Sequence, residues 1–253
     1  MTQHPLESSR RKLARAKKHI GDLAREVDRF SEADPATIFV EPDAQNPNHE
    51  VHKLRLNKPF PTSIADITAD AVHNLRASLD NAGYGLAVAS GRVNPKHTAF
   101  PFSGSAVEFE NNMKGRCKDI PKEIHAVFRR YQPYRGGNDF LWALNEACIA
   151  DKHKTLIRLG IGSVLGSFGM VSGGLVSIPM HTWDSANQEI TLGTFVANSN
   201  VKYNMDLSLF VAFDEVEIIS GQPVLDTLDH FADVVEHILA SLEAEARRLG
   251  IVN

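Results

Sequence analysis

The spacing of apolar residues changes along the chain and divides it into helical and strand-like stretches. Residues 8–31 carry apolar side chains at alternating intervals of four and three residues, which predicts a helix with a narrow buried seam. Two short runs at about 36–57, joined by the turn-forming "DAQNPN", predict a β-hairpin. Helical spacing returns after Pro61 and continues to about residue 156, with an irregular stretch over 92–120.

Within that second helical stretch the local signals predict two further helix starts. A short helix is expected to begin at Pro121, because proline favours the first helical position. A longer helix is expected to be capped by Asn138 or Asp139 and to run as far as Leu159.

From Gly160 the period becomes two. "EITLGTFVA" and "NMDLSLFVAFDEVEII" alternate between apolar and polar residues, which predicts antiparallel strands with one covered face. Together with a final amphipathic helix, the order of elements predicts an α+β fold. We expect a single domain over 1–253, with a mainly helical part at 6–156 that carries the hairpin, an antiparallel sheet at 160–222, and a C-terminal helix at 223–249 that packs back on the helical bundle.

Composition places the chain among ordinary globular proteins. Of its 253 residues, 43% are hydrophobic and 23% are charged, which is enough to bury one large core or two smaller ones. The formal net charge of −4 means that any nucleic-acid surface has to be a local patch. Two cysteines without metal-binding spacing, no secretory signal and no long apolar run predict a cytoplasmic protein without a membrane span.

The helix over 62–90 has an unusual polar side. Surface helices usually carry Lys and Glu, whereas this side carries residues with fixed hydrogen-bond geometry. The sequence leaves two interpretations open: the solvated side of an ordinary amphipathic helix, or a face that meets another polar element. The residues on it are Asp70, His73, Asn74, Arg76, Asp80, Asn81 and Tyr84.

The helix that contains "LWALNEACIADKHK" supplies a partner for that face. Asn145 and Lys152 fall inside its apolar arc, and an unpartnered buried amide or ammonium costs several kcal/mol, roughly 2–7 for an amide. We therefore expect the two helices to share one polar cluster, either a structural network or a ligand pocket. The candidate binding residues are Asn74, Asp80, Asn81, Tyr84, Asn145, Asp151, Lys152 and His153.

Two further helical stripes contain candidate ligand-binding residues, one for a metal ion and one for phosphate. A stripe on the last helix has the atom types that Zn²⁺ or Mn²⁺ prefers, but it lies opposite the apolar arc, where a solvated face belongs, so we expect no metal and no cofactor. Its members are Asp226, His230, Asp233 and His237. A basic stripe near the N-terminus is compatible with phosphate contacts or with an exposed helix face; it comprises Arg10, Arg11, Lys12, Arg15, Lys17 and Lys18.

Three segments, "DAVHNLRASLDNAGYGLA", "IHAVFRRYQPY" and "FLWALNEACIADKHK", resemble a widespread bacterial family of unknown function, over about residues 6–156. A more distant resemblance links the first segment to HEPN domains, many of which cut or bind RNA as dimers. Their R-x4-H motif is matched at Arg76, but Asn81 stands where the histidine belongs. An amide cannot transfer protons as a general acid or base, so the resemblance implies binding without catalysis.

We therefore expect a cytoplasmic, HEPN-like module that binds RNA or a cognate protein partner without catalysis, and that forms a homodimer through its long helices. An alternative is an enzyme, either a ribonuclease that uses Arg76 with His73 or a metal-dependent hydrolase that uses the stripe over 226–237. A further alternative is a structural dimeric scaffold whose polar cluster fixes the helix register.

Overall fold

A computed structural model of the chain describes residues 4–252, apart from residues 34, 151–156, 180–182, 185 and 214–215. The helices within these residues are α1 (Glu7–Glu32), α2 (Ser63–Ala89), α3 (Ala106–Lys114), α4 (His125–Tyr131), α5 (Asp139–Ala150) and α6 (Val224–Arg248). The strands are β1 (Ala36–Pro42), β2 (His49–Leu56), β3 (Ile157–Ser172), β4 (Leu175–Ser177), β5 (Trp183–Asp184), β6 (Glu189–Val196) and β7 (Asn200–Phe213).

The strands form two sheets. β1, β2, β6 and β4 follow one another in the first sheet, where β5 also pairs with β6 and all these pairings are antiparallel. β3 pairs with β7 in the second sheet. The predicted α+β fold is confirmed, with the hairpin near the N-terminus and the sheet region inserted before α6.

The chain divides into two compact units. The helical unit comprises Met1–Leu23, Ala65–Ile157 and Phe213–Asn253, and the sheet unit comprises Ala24–Ile64 and Arg158–Ala212. Most of α1 and nearly all of α2 therefore belong to the helical unit, whereas the hairpin belongs to the sheet unit.

The predicted apolar stripes form the core of the helical unit. The seam residues of α1 in this unit are fully or almost fully buried: Leu13, Ala16, Ile20 and Leu23. α6 buries its own stripe of Leu228, Phe231, Val235, Ile238, Leu239 and Leu242. Each side chain of this size contributes about 1.5–3 kcal/mol when it is removed from water, so the stripes account for why these two helices belong to one unit.

α1 and α2 lie antiparallel and very close together. Asn81 Nδ2 donates to Ser8 Oγ at 3.1 Å, and Lys12 Nζ donates to Asn74 Oδ1 at 3.4 Å, so residue numbers rise along one helix and fall along the other. Near the end of α2 the two backbones are in contact, because a Cβ at Gly85 would overlap the carbonyl oxygen of Pro5. Only glycine allows this contact.

The sheet unit has its own small core on one face of the first sheet. Leu54 and Leu56 of β2 pack with Ile190 and Leu192 of β6, and the partly buried Ala36, Phe60 and Tyr203 cover their edges. A buried carboxylate lies beside it. Glu189 accepts hydrogen bonds from Lys53 Nζ at 2.7 Å and from Arg55 Nη2 at 2.7 Å, with its side chain only 6% exposed.

Burial by itself would raise the pKa of Glu189, but the hydrogen bonds from Lys53 and Arg55 outweigh it, and the pKa is lowered. A carboxylate with a lowered pKa in the folded state stabilises that state above its unfolded pKa, and this contribution is lost as the pH falls. We expect the free energy of unfolding of the sheet unit to fall as the pH drops below about 4.5, and to fall less steeply in the Glu189→Gln variant. Urea unfolding across an acidic pH series measures this.

The matched control is Glu32→Gln, which removes an exposed carboxylate of the same unit. The acid dependence of that variant is expected to follow the wild type. An unchanged pH dependence in Glu189→Gln would show that the buried carboxylate does not govern acid unfolding.

Three local predictions need correction. α3 lies inside the stretch predicted to be irregular; Ser105 caps it by accepting from Glu108 N at 3.2 Å, and the Glu108 carboxylate accepts from Gly104 N at 2.8 Å. α4 begins at His125, after a turn, and not at Pro121. Residues 157–159 belong to β3 and not to a helix, because β3 extends further toward the N-terminus than its period-two pattern indicates.

Candidate functional site

Arg76 and Asp80 lie at the centre of a hydrogen-bond network. Arg76 Nη1 donates to Asp80 Oδ2 at 2.9 Å, and Arg76 Nε donates to Asn145 Oδ1 of α5 at 2.9 Å. The other carboxylate oxygen of Asp80 accepts from the backbone N–H of Phe100 at 2.9 Å. The Arg76 and Asp80 side chains are 25% and 30% exposed. The network thus joins α2, α5 and the segment before α3.

Asn145 and Arg76 each have one more contact in this network. Asn145 donates from Nδ2 to Glu146 Oε1 at 3.1 Å, and the Arg76 guanidinium lies 5.7 Å from the centre of the Phe102 ring. α2 and α5 therefore share a polar contact, made by Arg76 and Asn145. Of the α2 side chains expected in this cluster, Asp80 joins it through Arg76, whereas Asn74 and Asn81 face α1. The predicted members Asp151, Lys152 and His153 lie outside the described residues.

His73 and Asn74 belong to different contacts. His73 Nδ1 lies 3.0 Å from Cys148 Sγ of α5, and Cys148 is 5% exposed. Asn74 is 7% exposed; besides its contact with Lys12, it donates to the Asp70 carbonyl at 2.7 Å. The sequence pattern places His73 and Asn74 with Arg76 on one polar side of α2. In the structure, His73 contacts α5, whereas Asn74 contacts α1.

The two cysteines are free thiols. Burial raises the pKa of Cys117 to about 12, so this thiol stays protonated at neutral pH. Its Sγ donates to the Ala99 carbonyl at 3.1 Å. Cys117 is therefore a packing residue and not a nucleophile.

Asn81 and Tyr84 line a groove on the surface of the helical unit. The groove has a volume of about 830 Å³, within the range of about 300–1,000 Å³ that is usual for ligand sites. Its walls come from the start of α1, the second half of α2 and the C-terminal segment after α6; they include Ser8, Arg11, Asn81, Tyr84, Val88 and Val252. We call this the α1–α2 groove.

The α1–α2 groove combines apolar and polar walls. Val88 is 47% exposed and Tyr84 is 48% exposed, so both side chains are accessible from the groove. Among the described residues, the phenol oxygen of Tyr84 has no hydrogen-bond partner. The amide of Asn81 is held in place by its hydrogen bond to Ser8.

The cations of α1 fall into two groups. Arg10 forms an ion pair with Glu243 of α6, and Lys17 Nζ lies 2.8 Å from Glu236 of the same helix. Arg11 and Arg15, one turn apart, are exposed, and within the described part of the chain neither has a carboxylate partner. Of the other two members of the basic stripe, Lys18 pairs with Asp22 at 3.0 Å and Lys12 donates to the Asn74 amide. The basic stripe therefore has a neutralised side toward α6 and an uncompensated side, of which Arg11 lines the α1–α2 groove.

The predicted stripe of α6 lies on an exposed face of the helix. The His230 ring packs edge-on against Phe140 at 4.4 Å, and His237 Nδ1 donates to the Asp233 carbonyl at 2.7 Å. The described residues contain no group of three or more His, Cys, Asp or Glu side chains placed to hold a metal ion. Asp226 is also exposed.

The sheet unit contains a polar trio, centred on the buried His52, that the sequence pattern does not reveal. His52 Nε2 donates to Glu50 Oε1 at 3.0 Å, and its Nδ1 lies 2.6 Å from the Tyr203 hydroxyl. Burial raises the pKa of Tyr203 to about 12, so it remains a neutral donor. Glu50 also accepts from the backbone N–H groups of Asn198 and Ser199, so the trio fixes the turn between β6 and β7.

Comparison of the chain with protein-family models, with curated proteins and with solved structures gave no match. Within the described residues, no helix is long and apolar enough to cross a membrane.

Proposed function

We propose that the protein is a non-catalytic binding module for RNA, and that it holds a single strand along the side of α1 that borders the α1–α2 groove. The observation that carries this proposal is the difference between the two sides of α1. Arg10 and Lys17 already have carboxylate partners, whereas Arg11 and Arg15 have none among the described residues.

Uncompensated arginines are the usual contacts for phosphate. A guanidinium without a carboxylate partner can bind a phosphate oxygen without first breaking an ion pair, and it releases condensed counterions from the nucleic acid when it does so. Because the whole chain carries a formal charge of −4, two neighbouring free cations define a local patch and not a general property of the surface.

The surroundings of Arg76 favour binding over cleavage. A catalytic arginine must direct its donors at the developing charge of the reacting phosphate. Arg76 instead directs two of its nitrogens to Asp80 and Asn145. The Asn81 side chain donates to Ser8 and has no group that can exchange a proton at neutral pH.

An RNA ligand fits a cytoplasmic location, which the sequence also predicts. The two free thiols agree with this, because disulfides are rare in reducing compartments. We propose that location together with the function.

A fluorescence-anisotropy titration of a short, end-labelled single-stranded RNA tests the proposal with two double variants of equal charge. Arg11→Gln with Arg15→Gln is expected to weaken binding at least about tenfold, because two phosphate contacts are lost. Arg10→Gln with Lys17→Gln changes the net charge equally on the other side of α1 and is expected to stay close to the wild type. The ion pairs it removes are exposed, so the stability cost is small, about 0–1 kcal/mol for each pair.

The same samples, run on a denaturing gel with and without EDTA, are expected to contain intact RNA. Fragments that persist in EDTA and disappear in Arg76→Ala would replace the proposal with the ribonuclease alternative. Absence of binding by the wild type, or equal weakening by the two double variants, would contradict it.

A further inference from the structure

The Tyr84 ring lines the α1–α2 groove together with Arg11, one of the two uncompensated cations of α1. It lies one turn after Asn81 on α2, while Arg11 lies one turn after Ser8 on α1. Since Asn81 and Ser8 are hydrogen-bonded and the two helices are antiparallel, Tyr84 and Arg11 lie on opposite sides of that contact. At ~1.5 Å per residue, they are separated by about 9 Å along the helix axes.

This separation matches the reach of one nucleotide with its adjoining phosphate. A ring that is nearly half exposed offers a face to a planar base, and every base has such a face. Polar atoms lie between the ring and the cation: the Asn81 carbonyl oxygen can accept, and the Ser8 hydroxyl can donate. Val88 and Val252 supply apolar walls.

We infer that the α1–α2 groove takes one unstacked base of a single-stranded RNA, which stacks on Tyr84 while Arg11 binds the adjoining phosphate. The inference rests on the proposed function and adds to it a stacking contact with one base, which requires that base to be unpaired. The bases of a duplex are stacked on each other and cannot enter a groove of this kind, so binding selects unpaired nucleotides.

The test compares three variants by anisotropy with a labelled single strand and with the duplex of the same sequence. Tyr84→Leu keeps an apolar side chain but removes the ring, and it is expected to weaken single-strand binding about tenfold. Tyr84→Phe keeps the ring and is expected to stay within about twofold of the wild type. Phe39→Leu removes a ring that is 38% exposed in the sheet unit and is expected to change nothing.

A fluorescent base analogue placed in the strand gives a second readout. Its emission is expected to change on binding to wild type and to Tyr84→Phe, and to change less on binding to Tyr84→Leu, because stacking on an aromatic ring alters the emission of the base. Thermal unfolding of all three variants checks that the fold is intact.

The outcomes separate the two proposals. If the wild type binds the single strand and Tyr84→Leu binds equally well, or if the duplex binds as tightly as the single strand, the base-stacking inference is wrong and the phosphate-binding module remains. If the wild type binds neither RNA, the proposed function itself is wrong. If Phe39→Leu weakens binding as much as Tyr84→Leu, the α1–α2 groove is not the place where the base stacks.

Discussion

Gly85→Ala is expected to lower the free energy of unfolding of the helical unit by about 3 kcal/mol. An alanine usually stabilises a helix relative to glycine, by up to about 1 kcal/mol. Here the added methyl group would overlap the carbonyl oxygen of Pro5, which belongs to the backbone and cannot rotate away. The first turn of α1 has to move away from α2, and the Asn81–Ser8 hydrogen bond is lost with it.

Chemical unfolding measures this effect, and Gly115→Ala serves as its control. A Cβ at Gly115 would lie 3.4 Å from the nearest carbonyl oxygen, which is an ordinary contact, so that variant is expected to stay within about 1 kcal/mol of the wild type. A Gly85→Ala protein as stable as the wild type would mean that α1 and α2 do not approach as closely as described.

Asp80→Ala is expected to be nearly as destabilising, by about 2–4 kcal/mol. The carboxylate accepts from the Phe100 backbone and pairs with Arg76. Its removal leaves the Phe100 N–H without its acceptor and leaves a half-buried guanidinium without its counter-charge. Asp80→Asn retains an acceptor oxygen for one of the two donors and is expected to cost less, about 1 kcal/mol.

The RNA affinity of these variants distinguishes a structural network from a ligand site. Below their unfolding temperatures, both Asp80 variants are expected to bind single-stranded RNA as the wild type does. An Asp80→Asn protein of normal stability that no longer binds would place the ligand at the Arg76 network instead of the α1–α2 groove.

The amphipathic stripes were the part of the fold that sequence could predict. The α1 seam and the α6 stripe are buried as predicted, because burial of an apolar stripe is the main reason that such helices fold against a neighbour. α3 was missed, although Ser105 and Glu108 have the spacing of a capping box, because the helix is short and its apolar residues are few.

The candidate site was predictable only in part. The polar side of α2 identifies side chains that contact neighbouring helices, and the amide of Asn145 does have a partner on α2. What a single helix cannot reveal is which neighbour each residue faces. His73 and Arg76 contact α5, whereas Asn74 and Asn81 contact α1.

The α1–α2 groove depends on tertiary structure for the same reason. It joins α1, α2 and the residues after α6, which are far apart in the sequence. The predicted packing of the last helix on the bundle does not specify which side chains line a groove. The sequence shows the basic stripe. It does not show that Arg10 and Lys17 pair with carboxylates of α6, because that depends on where α6 packs.

The salt dependence of single-strand binding tests the central claim most directly. For single-stranded nucleic acids, the logarithm of the binding constant falls with the logarithm of the salt concentration by about 0.7 for each phosphate contact. Wild type is expected to show a steep dependence, and Arg11→Gln with Arg15→Gln is expected to flatten the slope by roughly 1.4. Arg10→Gln with Lys17→Gln is expected to leave the slope unchanged. Equal slopes for all three proteins would contradict the claim that the unpaired side of α1 binds the RNA backbone.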